Sequence, residues 1–415
     1  MHHLYSILFS PEGGGWGYPF LGLPGVVSLV IAAGMVPLSL LVLRAAMSTV
    51  ERHEWRSLSG LMCFGFAAQL ALRWLAPTSM AAVVESRGAN GFLEVARSHS
   101  ATELLSRFSS IAGQAPMHVR ANLPGKTLLY QFLLTVTDSS AVMAVFLVLL
   151  STAGAALVYL LARVWFEDRR VGIVAAMFYM LVPARIYFLP GLNVVTPVFL
   201  LISLVSIEYA LATRRYPLLV AAGISLYGLV IFEPLPLAAG LIVVAQVARR
   251  IARGDVGIGW VARGAGGMVV GVLAAHSLMW GLFRFDVVQA FASAWADART
   301  FNAVNHRPYG LWVVHNLKDF LIHMGLAQST LWLAHLGNDL TVSWVGWSTL
   351  ATLLALAAIG VNRGEVVRLW LFLGMFVQIA AARAAVHRPR VAEAALAVSI
   401  VQAAILSTSI GWYVL

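Results

Sequence analysis

The sequence predicts an all-α polytopic membrane protein, and three observations carry that prediction. The 415 residues are 60% hydrophobic and only 11% charged, against roughly 25% charged residues in an ordinary soluble domain. Apolar runs approaching the ~20 residues that a spanning helix needs recur along the whole chain. The basic residues gather in the short polar breaks between those runs, as the positive-inside rule requires.

Taken in order, the apolar segments are 24–44, 57–76, 140–163, 172–189, 191–211, 217–232, 235–250, 260–283, 312–334, 344–361, 369–384 and 391–413, twelve spans in one transmembrane domain over 1–415. No soluble domain, internal repeat or low-complexity tract interrupts them. The N-terminus has no basic stretch ahead of a compact apolar core, so no cleavable signal peptide is expected. Simple alternation puts Arg44, Arg52 and Arg56, then Arg163, Arg169 and Arg170, then Arg214 and Arg215, on one side. Arg249, Arg250, Arg253 and Arg263, and finally Arg383, Arg388 and Arg390, fall there too, which makes that side the cytoplasm. The break 334–341 shares the side without a Lys or Arg. Both termini and the two longest hydrophilic stretches, 77–138 and 284–311, then face outward.

Punctuation agrees with this reading. Pro217 in "ATRRYP" opens a helix at a position where its missing N–H is harmless. "FLPGLNVVTP" (188–197) and "FEPLPL" (232–237) place Pro between short apolar runs at the outer face, so helices must break there. Broken ends are tolerated only where protein or water satisfies the freed backbone. The outer side is therefore expected to hold a water-filled cavity. Within 77–125 the residues Phe92, Leu93, Val95, Leu104, Leu105, Phe108 and Ile111 recur at helical intervals, which predicts short amphipathic helices on the membrane surface.

The formal charge of +10 would suggest nucleic acid in a soluble protein. Here topology absorbs it, and no nucleic-acid partner is expected. Of the 28 basic residues only Lys126 and Lys318 are lysines, which leaves 26 arginines and fits a GC-rich bacterial genome. Cys63 is the single cysteine and lies in an apolar run, which excludes a disulfide framework and a Cys-based metal site. No HExxH, GxSxG or Walker loop occurs. "LPGKT" ends like a P-loop, but the first Gly of that motif would fall on Arg120 and no parallel sheet is present.

Ionisable groups at the membrane margin are functional candidates, and they collect on the outer side. Arg120, Lys126, Arg185, Arg307 and Arg368 are suited to grip a phosphate, Arg by bidentate hydrogen bonds and Lys as a point charge; each alone could equally snorkel to headgroups. "HVRANLPGK" adds His118 and Asn122, "NAVNHRPYGLWVVHNLKDF" adds His306, Tyr309 and Asn316, and Asn193 and Glu233 sit at the Pro-broken turns. Glu365 and Arg368 stand at i,i+3 and form either a structural ion pair or a device that aims the Arg. Glu85, at the start of the amphipathic loop, is placed either as a general base toward an acceptor hydroxyl or as an exposed loop carboxylate.

The segment 144–204, "AVFLVLLSTAGAALVYLLARVWFEDRRVGIVAAMFYMLVPARIYFLPGLNVVTPVFLLISL", is similar to the core of the GT-C superfamily of membrane glycosyltransferases. That superfamily includes protein O-mannosyltransferases and the lipid A aminoarabinose transferase. "HVRANLPGKTLLY", "RPYGLWVVHNLKDFLIHMGL" and "RGEVVRLWLFL" resemble stretches of uncharacterised bacterial integral membrane proteins of this kind. The resemblance implies inverting transfer of a sugar from a polyprenyl-phosphate donor to a lipid, glycan or protein acceptor, at the outer face of the bacterial cytoplasmic membrane. By the same resemblance Glu85 is the base, and Arg120, Lys126, Arg307 and Arg368 hold the departing phosphate. His118, Asn122, Arg185, Asn193, Glu233, His306, Tyr309, Asn316 and Glu365 are the expected substrate contacts. No metal is expected to be obligatory; one that did bind among such oxygen ligands would be Mg²⁺ or Mn²⁺. Two other functions fit the composition: a transporter or flippase of an anionic lipid-linked molecule, expected to show two pseudo-symmetric halves, and a non-catalytic scaffold of the cell envelope.

Overall fold

The computed structural model describes residues 20–88, 90–304, 307–337 and 343–411. Those residues are helical throughout, apart from turns and one isolated bridge between Phe20 and Ile410. Within the described residues each of the twelve apolar segments overlaps helix, and the end of the last, 412–413, lies outside them. Six helical stretches are long and apolar enough to cross a membrane: Val26–Thr49, Ser140–Phe166, Leu192–Thr213, Leu235–Ala252, Ile258–Phe283 and Pro389–Ser409. Three shorter apolar helices, Tyr216–Phe232, Trp344–Ile359 and Leu371–Ala385, stand beside them.

Helix α1 (Val26–Thr49) packs along α2 (Glu54–Trp74). Five short helices follow: α3 (Met80–Glu85), α4 (Phe92–Ser98), α5 (Ala101–Ser106), α6 (Phe108–Gln114) and α7 (Met117–Arg120). Ser79 and Ser100 cap α3 and α5 through their hydroxyls. The apolar faces of these helices are not offered to lipid, as the amphipathic pattern suggested. Phe92, Leu93, Val95, Leu104, Leu105, Phe108 and Ile111 all belong to the main protein core. One hydrophobic stripe serves lipid or protein equally well, and periodicity alone does not tell which.

After α8 (Gly125–Leu134) comes the central pair, α9 (Ser140–Phe166) and α10 (Arg169–Met180), with Asp168 capping α10 through the Arg170 and Val171 amides. Every residue of α10 from Val171 to Met180 is buried. At 1.5 Å per residue α10 is about 18 Å long, well short of a bilayer. The chain breaks at Val182–Pro183 and resumes as α11 (Pro183–Phe188). A 3-10 turn at Leu192–Val194 then leads into α12 (Thr196–Thr213) and α13 (Tyr216–Phe232). A second such turn, Leu235–Ala239, replaces helix at "EPLPL" and opens α14 (Gly240–Ala252). The breaks fall where proline removes a donor.

Helix α15 (Ile258–Phe283) lies against α13 at backbone contact. A Cβ on Gly271 would sit 2.1 Å from the Val220 carbonyl oxygen, and one on Gly223 2.1 Å from that of Met268. Such small-residue contacts are how helices approach closely in a bilayer. Gly271→Ala is expected to force the pair apart and cost about 1–3 kcal/mol. Gly266→Ala, with nothing within 4 Å, is expected to leave stability unchanged. Thermal unfolding of both purified variants checks this, and equal melting temperatures would refute the close approach.

The stretch 284–311 is not the plain loop its polarity suggested. It contains α16 (Val287–Val304), capped by Asp286, whose carboxylate accepts from the Val288 and Gln289 amides. Its charged residues kept it below the apolar ruler, yet Ala290 and Ala294 are buried at helical spacing. The segment 312–334 is likewise divided, into α17 (Tyr309–His323) and α18 (Leu326–His335), at Gly325 with φ 104°. Four more helices, α19 (Trp344–Ile359), α20 (Val366–Leu369), α21 (Leu371–Ala385) and α22 (Pro389–Ser409), complete the described chain. Helix α21 is as buried as α10 and packs on it.

Candidate functional site

Two side-chain clusters meet around one cavity. The first begins with a close approach: a Cβ on Gly125 would lie 2.6 Å from Phe232 Cα. Only glycine lets the start of α8 touch the end of α13, and the next residues along each chain, Lys126 and Glu233, are thereby brought together. Lys126 Nζ stands 3.0 Å from Glu233 Oε2, with both side chains about 95% buried (3% and 5% exposed). Nζ also donates to Asn122 Oδ1 at 3.0 Å. Glu233 further accepts from the Thr196 hydroxyl at 2.5 Å and from Asn193 Nδ2 at 3.4 Å. Burial pushes the Lys126 ammonium below its ordinary pKa, against the opposing pull of Glu233.

The second cluster is built on a strained turn. Gly364 and Glu365 both have positive φ, 74° and 57°, and for Glu365 this is an uncommon conformation. Asn316 stabilises the turn by accepting from the Gly364 amide at 3.0 Å and donating to the Asn362 carbonyl at 2.7 Å. Glu365 is thereby held between two guanidiniums. Arg307 Nη2 is 3.1 Å from its Oε1, and Arg368 Nε is 3.1 Å from its Oε2. Arg307 also donates to the Arg363 carbonyl, while Arg363 donates to that of Arg307 at 2.9 Å. Burial alone would raise the Glu365 carboxyl, but Arg368 and then Arg307 outweigh it and hold it at about 2. Its proximity also lets Glu365 align both arginines.

The two clusters face a cavity of about 370 Å³, within the usual range for a ligand site. His118, Asn122, Glu233, Arg307, Arg363, Glu365 and Arg368 line its polar end. His118, Asn122 and Arg368 continue into a recess of about 30 Å³ that adds Asn90, Lys126 and Asn193. The opposite wall is apolar: Leu235, Leu237 and Ala238 from the second 3-10 turn, Phe291 and Trp295 from α16, and Leu356 and Ile359 from α19. Among the described lining residues four cations (Lys126, Arg307, Arg363, Arg368) meet two carboxylates (Glu233, Glu365), a surplus of two positive charges. Burial, reinforced by Arg368, pushes the His118 imidazole down to about 4. It is therefore neutral at pH 7 and adds a polar contact without charge.

Eight of the residues expected from sequence thus share this site: His118, Asn122, Lys126, Asn193, Glu233, Arg307, Glu365 and Arg368. Asn316 and Tyr309 support it from behind, Tyr309 by donating to the Ala358 carbonyl and packing under Arg363, 5.3 Å from its ring centroid. Arg120 is not among the lining residues; it pairs with Asp297 at 2.8 Å and ties α7 to α16. Arg185 is buried elsewhere, in the protein core. Glu85 does not line the cavity either. It takes two hydrogen bonds from Arg97, at 2.7 and 2.9 Å, which hold it below the usual carboxylate range, and its side chain is 44% exposed. His306 lies outside the described residues.

Asn90, Asn302 and Arg363 were not anticipated. Asn302 bonds the Val361 carbonyl at 2.6 Å, and Arg363 opens the stretch that carries the Glu365–Arg368 pair and donates to the Gly360 carbonyl at 3.0 Å. Among the described residues no group of three or more His, Cys, Asp or Glu side chains is placed to hold a metal ion. The arrangement can bind an anionic headgroup at one end and an apolar chain along the other. No protein-family model matches the chain, and no curated protein matches it.

Proposed function

We propose that the chain is a membrane glycosyltransferase of the GT-C type, which moves a sugar from a polyprenyl-phosphate donor to an acceptor hydroxyl at the outer face of the bacterial cytoplasmic membrane. The observation that carries this reading is the cavity's division into a cationic end and an apolar wall. A lipid phosphate needs both, and the surplus of two positive charges suits the phosphate monoester that departs. The twelve helical segments cross the membrane, α10 with α11 and α17 with α18 as broken pairs, and two proline-marked turns, at Leu192–Val194 and Leu235–Ala239, reach the cavity or its recess.

In this reading the acceptor oxygen attacks the anomeric carbon as the bond from that carbon to the phosphate oxygen breaks. The bonding pair leaves on the polyprenyl phosphate, and Lys126, Arg307 and Arg368 stabilise its charge. The acceptor's proton passes to a carboxylate. Glu85 is poorly sited for that role, being outside the cavity and engaged by Arg97. Glu365 is held too acidic by its arginines. Glu233 is the remaining carboxylate, and a phosphate arriving at Lys126 releases it. The chain along the apolar wall orients the donor.

The test is transfer from a panel of radiolabelled polyprenyl-phosphate sugars in membranes containing the wild-type protein. Transfer from at least one donor, lost in Arg307→Ala/Arg368→Ala, is expected. No transfer across the panel, with donor still bound or translocated, would favour a flippase or a scaffold. Glu85→Gln is expected to keep activity within about threefold, since an exposed pair such as Glu85–Arg97 contributes only about 0.2–1 kcal/mol. Loss of activity in that variant would return the base to Glu85.

A further inference from the structure

Arg185 was expected at a phosphate and instead sits in the core of the helix bundle, 2% exposed. Its Nε donates to Gln69 Oε1 at 3.1 Å and its Nη2 to Ser151 Oγ at 3.0 Å, and the guanidinium lies 4.1 Å from the Tyr179 ring centroid. Its Nη1 has no hydrogen-bond partner. Gln69 offers no charge, and its amide is already spent on the Gly65 carbonyl and Thr152. A second buried cation, Arg73, stands one helical turn beyond Gln69, 1% exposed, with its Nε on the Leu189 carbonyl at 2.6 Å. Among the described residues no carboxylate pairs with either guanidinium. An uncompensated charge in an apolar interior is strongly unfavourable, and native membrane proteins pair such groups.

Beside Arg185 lies a cavity of about 10 Å³, lined also by Tyr179, Val194, Pro197, Met324 and Met375. That is roughly the room one water needs. A phosphate or carboxylate does not fit; a chloride ion, wider than a water, enters this largely apolar lining, which also includes Val182, Leu371 and Gly374, when the flexible thioether chains of Met324 and Met375 move aside. A water would satisfy Nη1 but leave the charge. We propose that this cavity is a halide site, filled by chloride, whose negative charge balances Arg185. The ion then lies under the floor of the polar recess: in the turn Leu192–Val194, Asn193 lines the recess and Val194 lines this cavity. The site stands whether or not the larger cavity transfers sugar.

The experiment is thermal unfolding of the purified, detergent-solubilised protein in sodium chloride against sodium gluconate at equal ionic strength. The melting temperature is expected to rise with the logarithm of chloride concentration once the site fills, as for any ligand of the native state. Bromide should substitute for chloride, and Arg185→Met should melt alike in all three salts. Identical melting of the wild type in chloride and gluconate, or an undiminished chloride effect in Arg185→Met, would overturn the proposal. Should Arg185→Met fail to fold, wild-type crystals grown in bromide decide: anomalous density within contact of Nη1 supports the site, and its absence refutes it.

Discussion

Glu233→Gln is expected to lower sugar transfer by about 10²- to 10⁴-fold, the usual contribution of a positioned general base. The change falls on kcat, because Lys126, relieved of its carboxylate partner, holds the donor phosphate at least as well, so KM for the donor stays or drops. The amide keeps a hydrogen-bond acceptor for Thr196 and Asn193, which stand 2.5 and 3.4 Å from the carboxylate, so the local geometry survives. It does leave the Lys126 ammonium buried without an opposite charge, at a cost of about 3–5 kcal/mol when one partner of a buried pair is removed. Melting temperatures must therefore be measured alongside rates. The double variant Lys126→Met/Glu233→Gln removes the stranded charge and is expected to regain stability without activity. A folded Glu233→Gln protein that transfers sugar at the wild-type rate would eliminate Glu233 as the base.

The candidate residues that the fold brings to the cavity and those it does not differ in a physical way. Lys126, Glu233, Arg307 and Arg368 stand next to glycine or proline breaks, in "PGK", "FEP", "HRP" and near "RGE". Such breaks put backbone and charge where helices cannot close, and sequence shows both. Glu85 and Arg120 lie three and four residues from the nearest Gly or Pro, no farther than Arg368 is from Gly364, but are satisfied by Arg97 and Asp297, 12 and 177 residues away along the chain. Neither partner is legible before folding. Helix α16 stayed hidden because its buried face is mostly alanine, which carries little hydropathy. The pairing of Lys126 with Glu233 rests on the contact of Gly125 with Phe232, a long-range approach that no local spacing encodes. The apolar helices and the proline-marked breaks were therefore legible, because both are local, while the alanine-faced α16, the break at Gly325 and the ion-pair partners that sort the site from the scaffold were not.

Glu365→Gln is expected to destabilise the protein at neutral pH and to remove an acid limb from its stability profile. The Glu365 carboxyl is held at about 2, down from 4.5, so folding favours its ionised form by about 3 kcal/mol. A depressed carboxylate stabilises the fold above its unfolded pKa and loses that stabilisation as pH falls through its folded value. The window therefore runs from about pH 4.5 down to about pH 2. The groups facing it are Arg307, Arg368 and His118; the arginines stay charged there, and His118, pushed down to about 4, gains a proton within that window, adding positive charge beside a carboxylate that is losing its own. In the variant two nearly buried guanidiniums, 3% and 13% exposed, face a neutral amide. Their mutual repulsion is then unopposed, and the strained turn at Gly364–Glu365 loses the contacts that hold it. Thermal unfolding of wild type and variant between pH 2.5 and 7, about the range in which carboxylates titrate, reads both effects. The wild type should lose stability steeply below pH 4.5, and the variant should start lower and fall less. Parallel profiles would show that Glu365 is not coupled to the arginines, and the cationic end of the cavity would then have to be organised by Lys126 and Glu233 alone.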